Sequence, residues 1–381
     1  MKKKYFIFSI VTLVLLVTFV TCFNYFKTTN TYVEDNVSKP TKITKGISMN
    51  LEQTAGAGDY KTVTQSGWPT EGYKFNTELS RCENGSTLSW DDTKKAVIVS
   101  GNMSDKCYVY FDIYHPLLTE YIISQYTGTQ GDNALYYHNS TLTNGAGDNS
   151  YRYAGASDSV NNYICLGSDA TTCPDANLFR IIGVFGDQTK VIRAKSTGTQ
   201  KWHTSQVNTW SSSSLNTYLN GEYLTSLETL AEKIATTTWK VGGGTYENIL
   251  TSVPAIAHQY EVGSSASSTT YEAKIGLMYV SDYFYAASPS AWTLVGYNRS
   301  DSTKTYISAR TINWLYLGSD EWTISRRSDY AGRVVYVGSS GGLYDKNMNE
   351  GSYAVRSTFS LLSSVTYASG DGTLNSPIRI N

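Results

Sequence analysis

The chain has 381 residues, enough for two to three domains of ordinary size. Its 31 Lys and Arg against 32 Asp and Glu leave a net charge of -1, without the basic field that a nucleic-acid partner demands. A hydrophobic content of 40% is low for a polytopic membrane protein, while 31 Tyr beside only 17% charged residues suit extracellular β-rich domains made soluble by hydroxyl groups.

Lys2, Lys3 and Lys4 precede an uncharged, apolar run of 22 residues from Tyr5 to Phe26. At helical rise such a run reaches ~33 Å, about one hydrocarbon core. The positive-inside rule keeps the lysines in the cytoplasm and exports everything after Lys27. Phe19-Val20-Thr21-Cys22-Phe23 offers no small-residue cleavage site, and Thr21-Cys22 is a poor lipoprotein signal. An uncleaved signal anchor over 1–26 is therefore expected, with lipidation at Cys22 or ordinary cleavage as the alternatives.

Residues 27–58 have little periodicity, end in Ala55-Gly56-Ala57-Gly58, and read as a stalk. Over 59–114 short strands alternate with turns: Thr87 to Trp90, Ala96 to Val99 and Cys107 to Phe111 predict a small β domain. In the connector 115–162, a helix from Pro116 to Tyr126 has Pro in its first turn and Leu117, Leu118, Tyr121 and Ile122 on one face. The remainder, rich in Gly, Asn, Asp and Tyr, reads as irregular. The domain at 163–381 opens with a hairpin, Leu178 to Phe185 and Lys190 to Ala194, turned at Gly186-Asp187. A long helix is expected where Leu215, Tyr218, Leu219, Tyr223, Leu227, Leu230 and Ile234 recur at helical spacing. Ala273 to Val280, Gly332 to Val337 and Tyr353 to Leu361 read as strands. The expected class is α+β, with helices early and a mostly antiparallel sheet late.

Five cysteines are present, and setting aside Cys22 in the apolar run leaves Cys82, Cys107, Cys165 and Cys173. Oxidation is expected outside the cytosol. Three connectivities are possible, of which sequence neighbourhood and domain placement favour Cys82–Cys107 and Cys165–Cys173. On the loop-entropy model these would contribute roughly 3.5 and 2.5 kcal/mol.

Motifs for chemistry are weak. Gly338-Ser339-Ser340-Gly341-Gly342 matches G-x-S-x-G, but no helix follows and the last histidine, His258, precedes it, so it reads as a hairpin turn. Asp345-Lys346-Asn347-Met348-Asn349 begins like a calcium loop, yet Glu350 stands where Gly is required and Arg356 where the bidentate Glu belongs. A polar surface loop is expected there. His115, His138, His203 and His258 show no metal-ligand spacing. Gly242-Gly243-Gly244 lacks the Lys-Ser/Thr of a phosphate loop and reads as a turn before a short helix at 246–250.

Asp320-Glu321-Trp322-Thr323-Ile324-Ser325-Arg326, followed by Ser352-Tyr353-Ala354-Val355-Arg356, resembles the C-terminal half of the formylglycine-generating-enzyme domain, a C-type-lectin-like fold. Tyr151 to Gly155, Cys165 to Ser168, Leu178 to Phe185, Lys274 to Ser281 and the ending Gly370 to Ile378 resemble membrane-anchored bacterial surface proteins, as does Cys82 to Ser86 with Trp90-Asp91. No Cys follows Cys173, so the cysteine pair on which formylglycine generation depends is missing. Relatives often read V-R-P where this chain has Val355-Arg356-Ser357.

These readings give an N-terminal transmembrane helix, a small all-β disulfide-bonded domain and a C-terminal C-type-lectin-like α+β domain at 163–381. The chain is read as a single-pass cell-membrane protein with its bulk extracellular, binding a glycan or protein ligand or acting in adhesion, without enzyme activity, cofactor or metal. The alternatives are a cell-wall or glycan-modifying enzyme and a structural surface subunit. Tyr330, Tyr344 and Asn347, flanking the Gly/Ser turns around 333–337, are the candidate ligand contacts. Trp322 is expected in the core and Arg356 buried, with Glu321 as its carboxylate partner.

Overall fold

A computed structural model describes residues 46–381 apart from 65, 66, 70, 71 and 103. The expected membrane span and Cys22 lie outside the described residues. Among the described residues no helix is long and apolar enough to cross a membrane. The chain divides into two compact units, which part between His115 and Pro116.

Among the described residues the first unit forms strands only: β1 (Ile47–Glu52), β2 (Tyr60–Val63), β3 (Tyr73–Phe75), β4 (Arg81–Cys82), β5 (Thr87–Asp91), β6 (Ala96–Ser100) and β7 (Cys107–Ile113). Its main sheet runs β2-β1-β7-β3, with β4 also on β7, and β5 and β6 form a separate hairpin. β1 comes from the segment read as stalk, yet it pairs in parallel with β7 from Ile47 opposite Cys107 to Leu51 opposite Phe111. Met49, Leu51, Phe75, Val97, Val109 and Phe111 make its small core. Glu52, buried at the end of β1, accepts the N–H groups of Gly58 and Ile113. Cys82 and Cys107 are neighbours across the β4–β7 pair and are joined by a disulfide.

In the second unit the strands are β8 (Leu135–Tyr137), β9 (Tyr151–Tyr153), β10 (Tyr163–Cys165), β11 (Leu178–Phe185), β12 (Gln188–Arg193), β13 (Thr199–Gln200), β14 (Thr237–Lys240), β15 (Thr270–Ala273) and β16 (Ile275–Gly276). They continue with β17 (Glu321–Arg326), β18 (Arg333–Val337), β19 (Leu343–Asn347), β20 (Tyr353–Ala354), β21 (Thr358–Ser360), β22 (Tyr367–Ser369) and β23 (Arg379–Ile380). A seven-stranded sheet runs β16-β21-β12-β11-β9-β8, with β10 also on β11. β11 and β12 are the hairpin expected at Gly186-Asp187, and β11 is buried along nearly its whole length. Gly183 has no side chain for a reason: a Cβ there would lie 2.1 Å from the Tyr151 carbonyl on β9. A separate five-stranded sheet runs β13-β20-β17-β18-β19. The second disulfide, Cys165–Cys173, closes the loop leaving β10.

The expected α+β class is corrected by this architecture. Strand accounts for 31% of residues and helix for 19%, in short pieces scattered along the chain, so the protein is mainly sheet. The long helix expected after Leu215 is broken into α-helix Ser214–Tyr218, π-helix Leu219–Tyr223, α-helix Leu224–Ser226 and 3-10 turns at Glu228–Lys233. Its apolar spacing is real, and Leu215, Leu219, Tyr223 and Leu230 are all buried. The wider π-turn coincides with Asn220-Gly221, where Asn220 binds both the N–H and the carbonyl of Ile275 on β16. The connector is not irregular throughout, since β8 and β9 join the large sheet. The strand expected over Ala273 to Val280 stops at Gly276, and a helix, Val280–Tyr285, follows.

Candidate recognition surface on the five-stranded sheet

Side chains of a strand alternate between faces, so cross-strand partners share a face. Trp322 on β17 is opposite Tyr336 on β18, and Tyr336 is opposite Tyr344 on β19. Tyr353 on β20 pairs with Gln200 on β13. The ring centroids run Tyr344 to Tyr336 at 5.7 Å, Tyr336 to Tyr353 at 4.6 Å and Tyr353 to Trp322 at 4.4 Å. Tyr297 extends the series, 5.3 Å from Tyr344. The tyrosines are half-buried, whereas Trp322 is fully buried beneath them and donates its indole N–H to the Gln200 carbonyl at 2.8 Å. Burial raises the Tyr336 phenol, so its hydroxyl stays protonated.

The opposite face carries Glu321, Val337 and Leu343, cross-strand neighbours that are buried. Glu321 receives Arg356 in a two-pronged contact, Nε to Oε1 at 2.7 Å and Nη2 to Oε2 at 2.7 Å. Nη2 also reaches the Leu315 carbonyl at 2.6 Å. Burial raises the Glu321 carboxyl, and Arg356 opposes that rise.

The three sequence-predicted contacts do not form one site. Tyr344 and Asn347 are three residues apart in the regular strand β19, and so face opposite sides. The segment beginning at Asp345 was expected as a loop, to which alternation does not apply. Asn347 is opposite Arg333 and bonds to Glu350. Tyr330, 52% exposed, has the Arg333 guanidinium 5.3 Å from its ring. Tyr330 and Asn347 thus border a charged patch instead. There Asp345 bonds Arg327 at 2.5 Å and Arg333 at 3.1 Å, and Asp329 bonds Arg327 at 2.7 Å. Its hydrogen bonds to Arg327 hold the Asp329 carboxyl below its ordinary value. Asp345, the first residue of the calcium-like pattern, is committed to two arginines. Among the described residues no group of three or more His, Cys, Asp and Glu is placed to hold a metal.

Sequence reasoning missed Tyr297, Tyr336 and Tyr353. The spacing of Tyr336 from the Gly338–Gly342 turn, and of Tyr344 beyond it, was the available signal. The turn itself joins β18 to β19, and Ser340 Oγ shares a hydrogen bond with the Tyr344 hydroxyl at 2.9 Å. A serine–histidine contact does exist elsewhere, Ser205 Oγ lying 2.9 Å from His203 Nε2. His203 Nδ1 accepts the N–H groups of Thr204 and Ser214, which puts the ring proton on Nε2. That ring donates to Ser205, the reverse of what a general base must do.

No family model, curated protein or solved structure matches the chain.

Proposed function

We propose that the chain is an exported, membrane-anchored surface protein whose second unit binds a glycan along the tyrosine row of its five-stranded sheet. The row itself carries the reading: Tyr344, Tyr336 and Tyr353, half-buried and in ring contact across adjacent strands, over the buried indole of Trp322. Such rings give rigid apolar area with polar tips, which suits the C–H faces and hydroxyl rims of sugars. Gln200 lies beside Tyr353 and Ser340 beside Tyr344, adding polar groups at the two ends. Export is supported by the two disulfides and by the lysines ahead of the apolar N-terminal run.

The test is a glycan and protein array probed with the full chain in detergent, alongside Tyr344→Ala and Tyr353→Ala. Glycan retention that falls at least tenfold (about 1.4 kcal/mol) in both variants, with unchanged melting, is expected. Binding that survives both substitutions, or retention of protein ligands alone, would overturn the glycan reading.

A further inference from the structure

Lys190 occupies an unusual place for a cation. It lies on β12 inside the seven-stranded sheet, opposite Gly183 on one side and Ser360 on the other, and is 8% exposed. The rings of Tyr279, Phe185 and Trp239 stand 4.7, 5.4 and 5.7 Å from its Nζ. That nitrogen donates to Asp282 Oδ2 at 2.5 Å. Asp282 is itself 3% exposed, in the helix Val280–Tyr285. Its Oδ2 also accepts the Tyr279 N–H at 2.8 Å, which fixes the carboxylate toward the lysine. Arg152 Nη1 lies 3.9 Å from Oδ1 on the other side. A further buried carboxylate, Glu261, holds the same turn through the N–H groups of Val280 and Ser281 and the hydroxyl of Ser325.

Two ions are thus pressed together beneath three aromatic rings, with the Arg152 guanidinium and the Glu261 carboxylate nearby. Desolvation of such a pair can exceed its attraction, and burial favours the neutral amine over the ammonium. Burial does lower the Lys190 amine, against the pull of Asp282. A primary amine held against a carboxyl group, away from competing water, is arranged for condensation.

We propose that Lys190 and Asp282 join in an intramolecular amide bond. The ammonium passes one proton to the carboxylate within the pair, leaving a free amine and a carboxylic acid. The Nζ lone pair attacks Cγ, and the Arg152 guanidinium stabilises the oxygen on which negative charge develops. One carboxyl oxygen then leaves with its own proton and a second proton from the amine. The Nζ–Cγ bond forms, a Cγ–O bond breaks, and one water is released; no oxidant, reductant or outside reagent is consumed. The bond ties β12 to a helix 92 residues further along the chain. It does not depend on the ligand proposed above.

Peptide mapping of the reduced, denatured full chain tests it directly. The expected product is a branched peptide joining the Lys190 and Asp282 segments, lighter by one water than their sum, with no tryptic cleavage after Lys190. Intact masses of Lys190→Met and Asp282→Ala should then each lack the dehydration seen in the parent. Linear peptides alone from parent protein, even after prolonged incubation, would overturn the proposal whether or not the variants fold. So would a loss of water that persists in Lys190→Met.

Discussion

Replacing Arg356 with Met should destabilise the second unit by about 3–5 kcal/mol, the scale for stranding one member of a buried ion pair. The geometry sets that expectation. Glu321 is 1% exposed and Arg356 3%, so neither can turn to water. The substitution removes both 2.7 Å contacts to the carboxylate and the 2.6 Å bond to the Leu315 carbonyl. Glu321 must then either stay charged without a partner or take up a proton. Its carboxyl, already raised by burial, should rise further once Arg356 no longer opposes that rise. A folded-state pKa above the unfolded one favours the folded state as pH falls, so the deficit at neutral pH should shrink toward pH ~5. Converting both residues, Glu321→Leu with Arg356→Met, removes both charges and should cost well under the sum of the single changes, with a coupling of about 2 kcal/mol or more. Urea denaturation of the parent, both single variants and the double variant at two pH values measures all of this. Single-variant losses below about 1 kcal/mol, or additive losses, would refute the reasoning.

Trp322→Ala should cost about 3–5 kcal/mol in the same assay, because it empties a site beneath Tyr336 and Tyr353 and leaves the Gln200 carbonyl without its donor. Acid should weaken the second unit in a window that opens below pH 6.5. Burial holds His138 well below that ordinary value, its Nδ1 accepts the Ala146 N–H and its Nε2 has no hydrogen-bond partner among the described residues. The unfolded chain therefore binds a proton that the folded one refuses, and stability should fall by up to ~1.4 kcal/mol per pH unit. In His138→Phe that slope should flatten; an unchanged slope would place the titration elsewhere. Cys82→Ser with Cys107→Ser, closing a separation of 25 residues no longer, should cost the first unit roughly 3.5 kcal/mol and expose it to limited proteolysis. Protease added to intact cells should digest both units, and full protection would contradict the proposed export.

Much of the fold was legible where local rules decide. The β11–β12 hairpin follows from Leu178 to Phe185, Lys190 to Ala194 and a Gly-Asp turn, all neighbours in sequence. Ile47 to Glu52 also carried a period-two alternation, but six residues beside a polar stretch were read as stalk, and only the distant partner β7 makes them a strand. β8 and β9 have three residues each, too few for any periodicity to show. The helical run after Leu215 obeyed its spacing yet changed its winding, because Asn220 bonds to β16, 55 residues away. The candidate site was half legible: Trp322 and the Arg356–Glu321 relation could be argued from residue type. Which face Tyr344 or Asn347 takes depends on whether β19 is a strand, and the polar residues Asp345 to Asn347 concealed that. The burial of Lys190, Arg152, Asp282 and Glu261 was not legible, since charged side chains carry no local sign that the chain will enclose them.

The parallel pairing of β1 with β7 has a mechanical meaning. Gly46, the first described residue, lies beside the start of both strands, and Ile113 ends β7 at the far side of the sheet. Tension between those two points pulls the adjacent strands lengthwise past each other. The slanted, evenly spaced backbone bonds between Ile47–Leu51 and Cys107–Phe111 are then strained together, rather than opened one after another as in a hairpin peeled from its end. The disulfide at Cys107 anchors the start of β7 to β4, which keeps that strand from slipping on its own. Under load the unit would fail by shear, at a rate set by its unfolding barrier rather than by its equilibrium stability.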